Sequence, residues 1–283
     1  MHLNKTLRTI TLTLLCFLSG TTMADTAPLR VAVSANFNGT FNELAHAYQR
    51  EFNQPFLISS GSSGSLFAKI KHAAPYHLFF SADKVRPILL EKAGLVVENS
   101  RFTYAIGIPV LWSQDTDLLT SAGDKVLETH SFKHLAMADP RVAPYGLAAK
   151  QIMQRLELWE DLNSNTQIVK AQSIGQAYGQ IASEAAELGF LSLSQVKDRD
   201  GAIGGSYWIP PRHLYEPIEQ QAVILNYAKK TPHIFDSAVQ FLSWVRNSET
   251  ATTIIKNSGY KINQPLIANQ ATLIRSKKGI IEQ

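Results

Sequence analysis

Apolar positions in this chain follow two rhythms in turn. Short unbroken apolar runs alternate with stripes at helical spacing. Pro28-Leu-Arg-Val-Ala-Val-Ser34 reads as a strand, and Phe41, Leu44, Ala45 and Tyr48 then share a helix face. Pro55 to Ser59 is a second short strand, and Leu66, Ile70 and Ala73 form the next helical stripe. Leu78-Phe-Phe80 follows as a strand, with Asp83 placed to cap a helix carrying Ile88 and Leu89. Strand and helix alternating at this spacing predict an α/β fold, a parallel sheet with helices on both faces.

The pattern breaks between Tyr104 and Trp112, an apolar run interrupted by Pro109, which suits an edge strand or a crossing between lobes. A second α/β series then begins. Leu135 to Ala138 and Gly189 to Leu193 read as strands, and Ile168-Val169 is short and extended. Gly146 to Leu156 predicts a helix with Leu147, Ile152 and Leu156 inward. Ile174, Tyr178, Ile181, Ala182 and Ala185 predict another. Asp198 to Ser206 is polar, Gly-rich and loop-like. Gln221 to Asn226 is a further strand, and Phe235, Ala238, Leu242 and Val245 line a helix. Periodicity fades after Pro265, so 266–283 is expected to be a frayed tail.

The first 24 residues have a different character. Lys5 and Arg8 precede an apolar stretch from Ile10 to Ser19, and Thr22-Met23-Ala24 offers a small-residue cleavage site before Asp25. This is the pattern of a secretory signal, too short for a membrane span. Cys16, the sole cysteine, lies inside it, and Leu15 before it argues against a lipid anchor. The mature chain is expected outside the cytosol without disulfides, stabilised by its own core. About 259 residues remain for one large domain or two small ones. The net charge of +4 includes Lys5 and Arg8. The remaining charges are well mixed, with no basic stripe carrying interleaved aromatics, so nucleic-acid binding has no support.

The candidate chemistry sits at two strand-to-helix junctions, Asn36 and the run Ser59-Ser-Gly-Ser-Ser-Gly-Ser65. Such junctions lie at the carboxyl edge of a parallel sheet, where ligands collect. Helix starts there offer unpaired N–H groups and partial positive charge, and small side chains let an anion approach them. The run matches neither a Walker motif nor a dinucleotide fingerprint. A compact oxyanion held by neutral donors fits it, and so does an ordinary helix cap with a flexible turn.

Longer stretches carry a resemblance. They are Val31-Ala-Val-Ser-Ala-Asn-Phe37, Ser59 to Leu66, Ala74 to Asp83, Ala138-Asp-Pro140 with Pro144-Tyr-Gly146, Glu187-Leu-Gly189, and Tyr215 to Leu225. In order and spacing the chain resembles the periplasmic molybdate-binding proteins of ABC importers. That resemblance implies a two-lobed periplasmic-binding-protein fold of type II with the ligand in the cleft. Lobe one would comprise 25–106 with 219–265, and lobe two 107–218. It implies a monomer that captures molybdate, and tungstate nearly as well, in the periplasm. An inner-membrane permease with its cytoplasmic ATPase would receive the ion. No cofactor is implied, and the metal would be held only through its oxygens.

Carried over by position, the implied ligand residues are Asn36, Ser63, Tyr145 and Ile174, with a further backbone N–H from Ala35. Asn36 and Tyr145 match an asparagine subgroup. Ile174 falls where a backbone N–H at a helix start points at the anion. Ser192 stands where other members have a tyrosine, and Tyr145 offers a hydroxyl in its stead.

Other readings compete. A serine hydrolase needs Gly-x-Ser-x-Gly, and Gly61-Ser-Ser-Gly-Ser65 lacks the final glycine and a clear late histidine. His130 and His134 read as a surface pair, and His72 and His77 as boundary residues. Glu43 and Glu160 have no partner carboxylate. Trp208-Ile-Pro-Pro211 reads as a hinge-side or sheet-edge packing element, and Tyr48, Tyr178 and Trp244 as core. Asn38-Gly-Thr40 fits a glycosylation pattern without further support. The same architecture could hold another oxyanion. Neither cluster has the carboxylate that suits hydrogenphosphate or the arginine clamp that suits an organic acid, while sulfate stays open. A sensor or scaffold role finds no fused signalling domain in support.

Overall fold

The structure, a computed structural model, describes residues 27–119, 123–165, 167–198 and 200–262. The expected signal segment with Cys16 and the expected tail lie outside the described residues.

The strands form two five-stranded sheets. The first is built from β1 (Leu29–Ser34), β2 (Phe56–Gly61), β3 (Leu78–Ser81), β4 (Phe102–Gly107) and a late strand, β10 (Ile218–Ile224). Its order is β2-β1-β3-β10-β4, with β1 parallel to β2 and β3, and β10 antiparallel to β3 and β4. The helices α1 (Asn38–Phe52), α2 (Ser63–Lys71) and α3 (Val85–Lys92) follow the first three strands.

The second sheet contains β5 (Pro109–Ser113), β6 (Leu135–Ala138), β7 (Ile168–Ala171), β8 (Leu188–Ser192) and β9 (Ser206–Trp208). Its order is β7-β6-β8-β5-β9, again three parallel strands beside an antiparallel pair. With it go α4 (Gly123–Thr129), α5 (Pro144–Arg155), α6 (Trp159–Ser164), α7 (Ile174–Ala182) and the short α8 (Leu193–Val196). Two helices after β10, α9 (Pro232–Asn247) and α10 (Glu249–Asn257), return to the first sheet.

Parallel strands covered on both faces require nearly continuous apolar runs. Val31, Ala32 and Val33 are accordingly buried on alternate sides of the first sheet. One face packs Phe37, Phe41, Phe80 and Phe241, with Phe41 edge-on to Phe80 and Phe241 at 5.0 and 5.7 Å. The other face packs Leu66, Ile70, Phe79 and Leu90. A separate core around Leu111, Met137, Ile152 and Leu191 holds the second sheet.

The run from Tyr104 to Trp112 is two strands in two sheets, with Ile108 as the single residue between them. Pro109 marks the crossing and not an edge: β5, which it opens, lies between β8 and β9, whereas the edge strands are the proline-free β4 in the first sheet and β9 with Trp208 in the second.

Four residues depart from their expected places. Leu147 is 47% exposed, because the helix begins at Pro144 and its inward stripe runs Tyr145, Ala148, Ala149, Ile152 and Met153. Tyr178 lies on the outer face of α7 and stacks on Trp112 at 5.8 Å instead of entering the core. Ala73 falls beyond α2 in the left-handed region at φ 61°, and Ala185 falls beyond α7. Asp83 does serve the next helix, accepting the Arg86 N–H at 2.9 Å and pairing with the Arg86 guanidinium.

Candidate anion site

The carboxyl ends of β1 and β2 meet the first turns of α5 and α7 around a small space. It is lined by Ser34, Ala35, Asn36, Gly61, Ser62, Ser63, Ala82, Ala143, Pro144, Tyr145 and Ile174. The volume open to the centre of a water-sized sphere is about 10 Å³. That admits one water or one small ion, far below the several hundred Å³ of an organic-ligand pocket. No charged side chain lines it.

Helix starts converge here. Ser63 opens α2, Ile174 opens α7, and Tyr145 is the first residue of α5 with an N–H, since Pro144 precedes it. Ala35 opens a 3-10 turn that continues directly into α1. The earliest N–H groups of a helix have no partner within it and carry its positive end. The caps are neighbouring serines. Ser62 Oγ accepts from Ser65 N at 3.3 Å, and Ser173 Oγ from Gln176 N at 3.3 Å. Ser63 and Ile174 are thereby free of capping duty.

Behind the lining runs a buried hydrogen-bond network. Ser34 Oγ donates to the Phe80 carbonyl at 2.9 Å and lies 2.7 Å from Ser63 Oγ. The Ala82 N–H is shared between both serine oxygens, 2.9 Å from each. Because Ser34 gives its only proton to Phe80, Ser63 is the donor in the serine pair.

Asn36 Nδ2 donates to Gln220 Oε1 at 2.8 Å and to the Tyr260 hydroxyl at 3.1 Å. Both amide protons of Asn36 are therefore engaged inside the protein, which leaves its backbone N–H for the cavity. The Asn36 carbonyl accepts from Tyr260 at 2.8 Å and from Ser194 Oγ at 3.0 Å.

Tyr145 presents its hydroxyl between Ser192 Oγ at 3.0 Å and Gln220 Nε2 at 3.2 Å. Ser192 does not line the cavity and stands behind Tyr145. Burial pushes the Tyr145 and Tyr104 hydroxyls well above the ordinary tyrosine range, and Tyr260 to about 12. All three stay protonated as donors.

The rim charges are paired. Asp139 is held below the usual carboxylate range by the Arg141 guanidinium, 2.6 Å away. Among the described residues no cluster of three His, Cys, Asp or Glu side chains could hold a bare metal ion. The structure thus brings Ala35, Asn36, Ser63, Tyr145 and Ile174 around one cavity and sets Ser192 behind it. Sequence reasoning missed Ser34, Ser194, Gln220 and Tyr260. A signal for Gln220 existed, since two adjacent glutamines leading into the apolar run Ala222-Val-Ile224 demand buried partners.

A family model described as bacterial extracellular solute-binding protein matches residues 29–261. The chain belongs to this family. It is 40% identical over 237 residues to the molybdate-binding protein ModA of Azotobacter vinelandii, covering 84% of this chain and 91% of that one. It is 38% identical over 229 residues to ModA of Rhodobacter capsulatus, covering 81% of this chain and 86% of that one. Among solved structures it is similar to the Azotobacter vinelandii periplasmic molybdate-binding protein, with a TM-score of 0.79 and 44% identity. That match covers 83% of this chain and 100% of the other. The fold is the two-lobed type II periplasmic-binding-protein fold, and family membership makes the protein a binder and not an enzyme.

Proposed function

We propose that this protein is the periplasmic receptor of an ABC importer that captures molybdate, and tungstate nearly as well, as an intact tetrahedral dianion. The observation that carries the reading is a one-ion cavity lined by neutral groups at helix starts from both sheets. Its relatives at 40% and 38% identity, named for molybdate binding, supply the ion.

The donors in this reading are the hydroxyls of Ser63 and Tyr145 and the backbone N–H groups of Ala35, Asn36, Ser63, Tyr145 and Ile174. Ser192 supports Tyr145 from behind. Each charge-assisted hydrogen bond is worth about 1.5–3 kcal/mol, and dehydrating a dianion and ordering the lobes consume much of the total. Residues 25–106 with 219–265 act as lobe one and 107–218 as lobe two, closing on the ion as a monomer. An inner-membrane permease driven by a cytoplasmic ATPase receives it, and no cofactor takes part.

The hydrolase alternative loses support at Ser63, whose hydroxyl is bonded to Ser34 and Ala82 rather than to a base. Calorimetric titration with molybdate, tungstate, sulfate and phosphate tests the proposal. Tight binding of the first two is expected. Sulfate outcompeting molybdate at equal concentration overturns it.

A further inference from the structure

A phenol has one proton and can accept hydrogen bonds on its oxygen. The Tyr145 oxygen lies within reach of two donors, Ser192 Oγ at 3.0 Å and Gln220 Nε2 at 3.2 Å. The Gln220 nitrogen cannot accept, so the Tyr145 proton has no use for it. Ser192 Oγ also lies 2.7 Å from Ser194 Oγ; when it accepts the Ser194 proton it gives its own to Tyr145, and the Tyr145 proton is then left to the cavity that Tyr145 lines.

The other end of Gln220 works on the opposite wall. Its Oε1 accepts from Asn36 Nδ2 at 2.8 Å and from the Tyr104 hydroxyl at 3.1 Å. Gln220 is fully buried in β10 of the first sheet, whereas Tyr145 belongs to α5 of the second. One amide therefore links two walls of the cavity that come from different sheets. Gly107, next to the crossing at Ile108, makes room for this meeting. A Cβ there would overlap the Tyr145 hydroxyl and stand 2.8 Å from Gln220 Nε2.

We propose that Gln220 is a positioning residue of the anion site: it holds the Tyr145 oxygen as an acceptor, so that the phenol proton points at the ion, and it anchors Asn36 on the facing wall. The proposal rests on the oxyanion reading above. Gln220 touches no ion itself. It selects which way the hydroxyl points and couples that choice to the meeting of the two lobes. A neutral amide suits the position. A carboxylate would accept the Tyr145 proton and turn it away from the ion, and would place a negative charge near a dianion.

The test uses the full protein, titrated calorimetrically with molybdate, tungstate and sulfate. Its variants are Gln220→Met, Gln220→Glu, Tyr145→Phe and the double variant Gln220→Met/Tyr145→Phe. Thermal unfolding without ligand reports the fold of each. Gln220→Met is expected to weaken molybdate binding at least tenfold, and Gln220→Glu more. In the Tyr145→Phe background, Gln220→Met should cost at least about threefold less than it does in the wild type, because the hydroxyl it positions is gone and only its hold on Asn36 remains to be lost. A residue acting only on stability would give additive penalties. If Gln220→Met does not fold, Gln220→Glu keeps both acceptor contacts and carries the test. Wild-type affinity retained within twofold in the folded variants, or full additivity, overturns the proposal and leaves the oxyanion reading standing. Absence of binding by the wild type to all three ions overturns both.

Discussion

The Gly64 N–H donates to the Val142 carbonyl at 2.9 Å, joining the start of α2 to the segment that leads into α5. These residues belong to the elements of different sheets, so this bond forms only where the two lobes touch. A Cβ on Gly64 would stand 2.9 Å from Val142 Cα, against backbone that has little freedom to yield. Gly64→Ala should therefore oppose closure over the cavity. Alanine is otherwise favoured in a helix by about 1 kcal/mol, so the ligand-free fold should not suffer. Overpacking of this kind costs about 1–3 kcal/mol, which predicts molybdate binding weaker by about tenfold to a hundredfold. Calorimetry checks the affinity, and small-angle scattering checks whether the variant still compacts when the ion is added.

The two serines at 2.7 Å divide their duties, and substitution should separate them. Ser63 can turn its proton to an anion, while the Ala82 N–H keeps Ser34 Oγ as partner. Ser63→Ala should lose about 1.5–3 kcal/mol of binding, or roughly tenfold to over a hundredfold, with little change in thermal midpoint. The helix cap survives because Ser62 supplies it. Ser34→Ala removes the hydroxyl that bridges Phe80 and Ala82, leaving a buried carbonyl short of a donor. It should cost about 1–3 kcal/mol of folding stability. Equal losses of stability in the two variants would contradict this division.

Much of this arrangement is legible in the sequence, for identifiable reasons. Buried parallel strands leave apolar runs, and helices leave stripes, so the α/β alternation is visible before any coordinates. The small residues at Asn36 and Ser63 mark strand-to-helix junctions for the same local reason. The course of β10 is different. Its pairing with β3 and β4 joins residues more than a hundred positions apart, and no local pattern encodes that. The roles of Gly64, Gln220 and Tyr260 likewise depend on contacts between residues far apart in the chain and were hidden with it. Leu147 and Tyr178 went astray because periodicity gives a stripe without saying where its edge meets solvent.

His77 enters β3 with its Nδ1 accepting the Arg30 N–H at 3.0 Å. Burial, aided by the Arg30 charge, lowers its pKa to about 4, against about 6.5 in an unfolded chain. Above pH ~6.5 both states hold it neutral, and its contribution to stability is complete. As pH falls from about 6.5 to about 4, the unfolded chain takes up a proton that the folded chain refuses, and stability declines. His77→Gln retains an acceptor for Arg30 and cannot titrate. Thermal midpoints measured across this window should fall less steeply in the variant. Parallel slopes would show that His77 titrates alike in both states. The remaining histidines are common to both proteins and cancel in the difference.

Binding should behave quite differently towards pH. Tyr145 is the sole titratable side chain among the residues lining the cavity, and burial keeps its hydroxyl protonated far above neutrality. Tyr260 and Tyr104 behind it are pushed up for the same reason. Nothing that faces the ion changes charge between about pH 6 and 9, so the molybdate dissociation constant should vary less than about threefold over that range. The same neutrality sets a limit on hydrogenphosphate. Its proton needs an acceptor and no Asp or Glu lines the cavity, so a hydroxyl must turn from donating to accepting, and the lost donor costs about 1–3 kcal/mol. Phosphate should bind about tenfold to a hundredfold more weakly than a fully deprotonated ion of similar size, and sulfate should escape this penalty and be judged by fit alone. Competition titrations at two pH values measure both effects together. A dissociation constant that shifts tenfold with pH, or phosphate competing on equal terms with sulfate, would reveal a carboxylate acceptor that the lining does not contain.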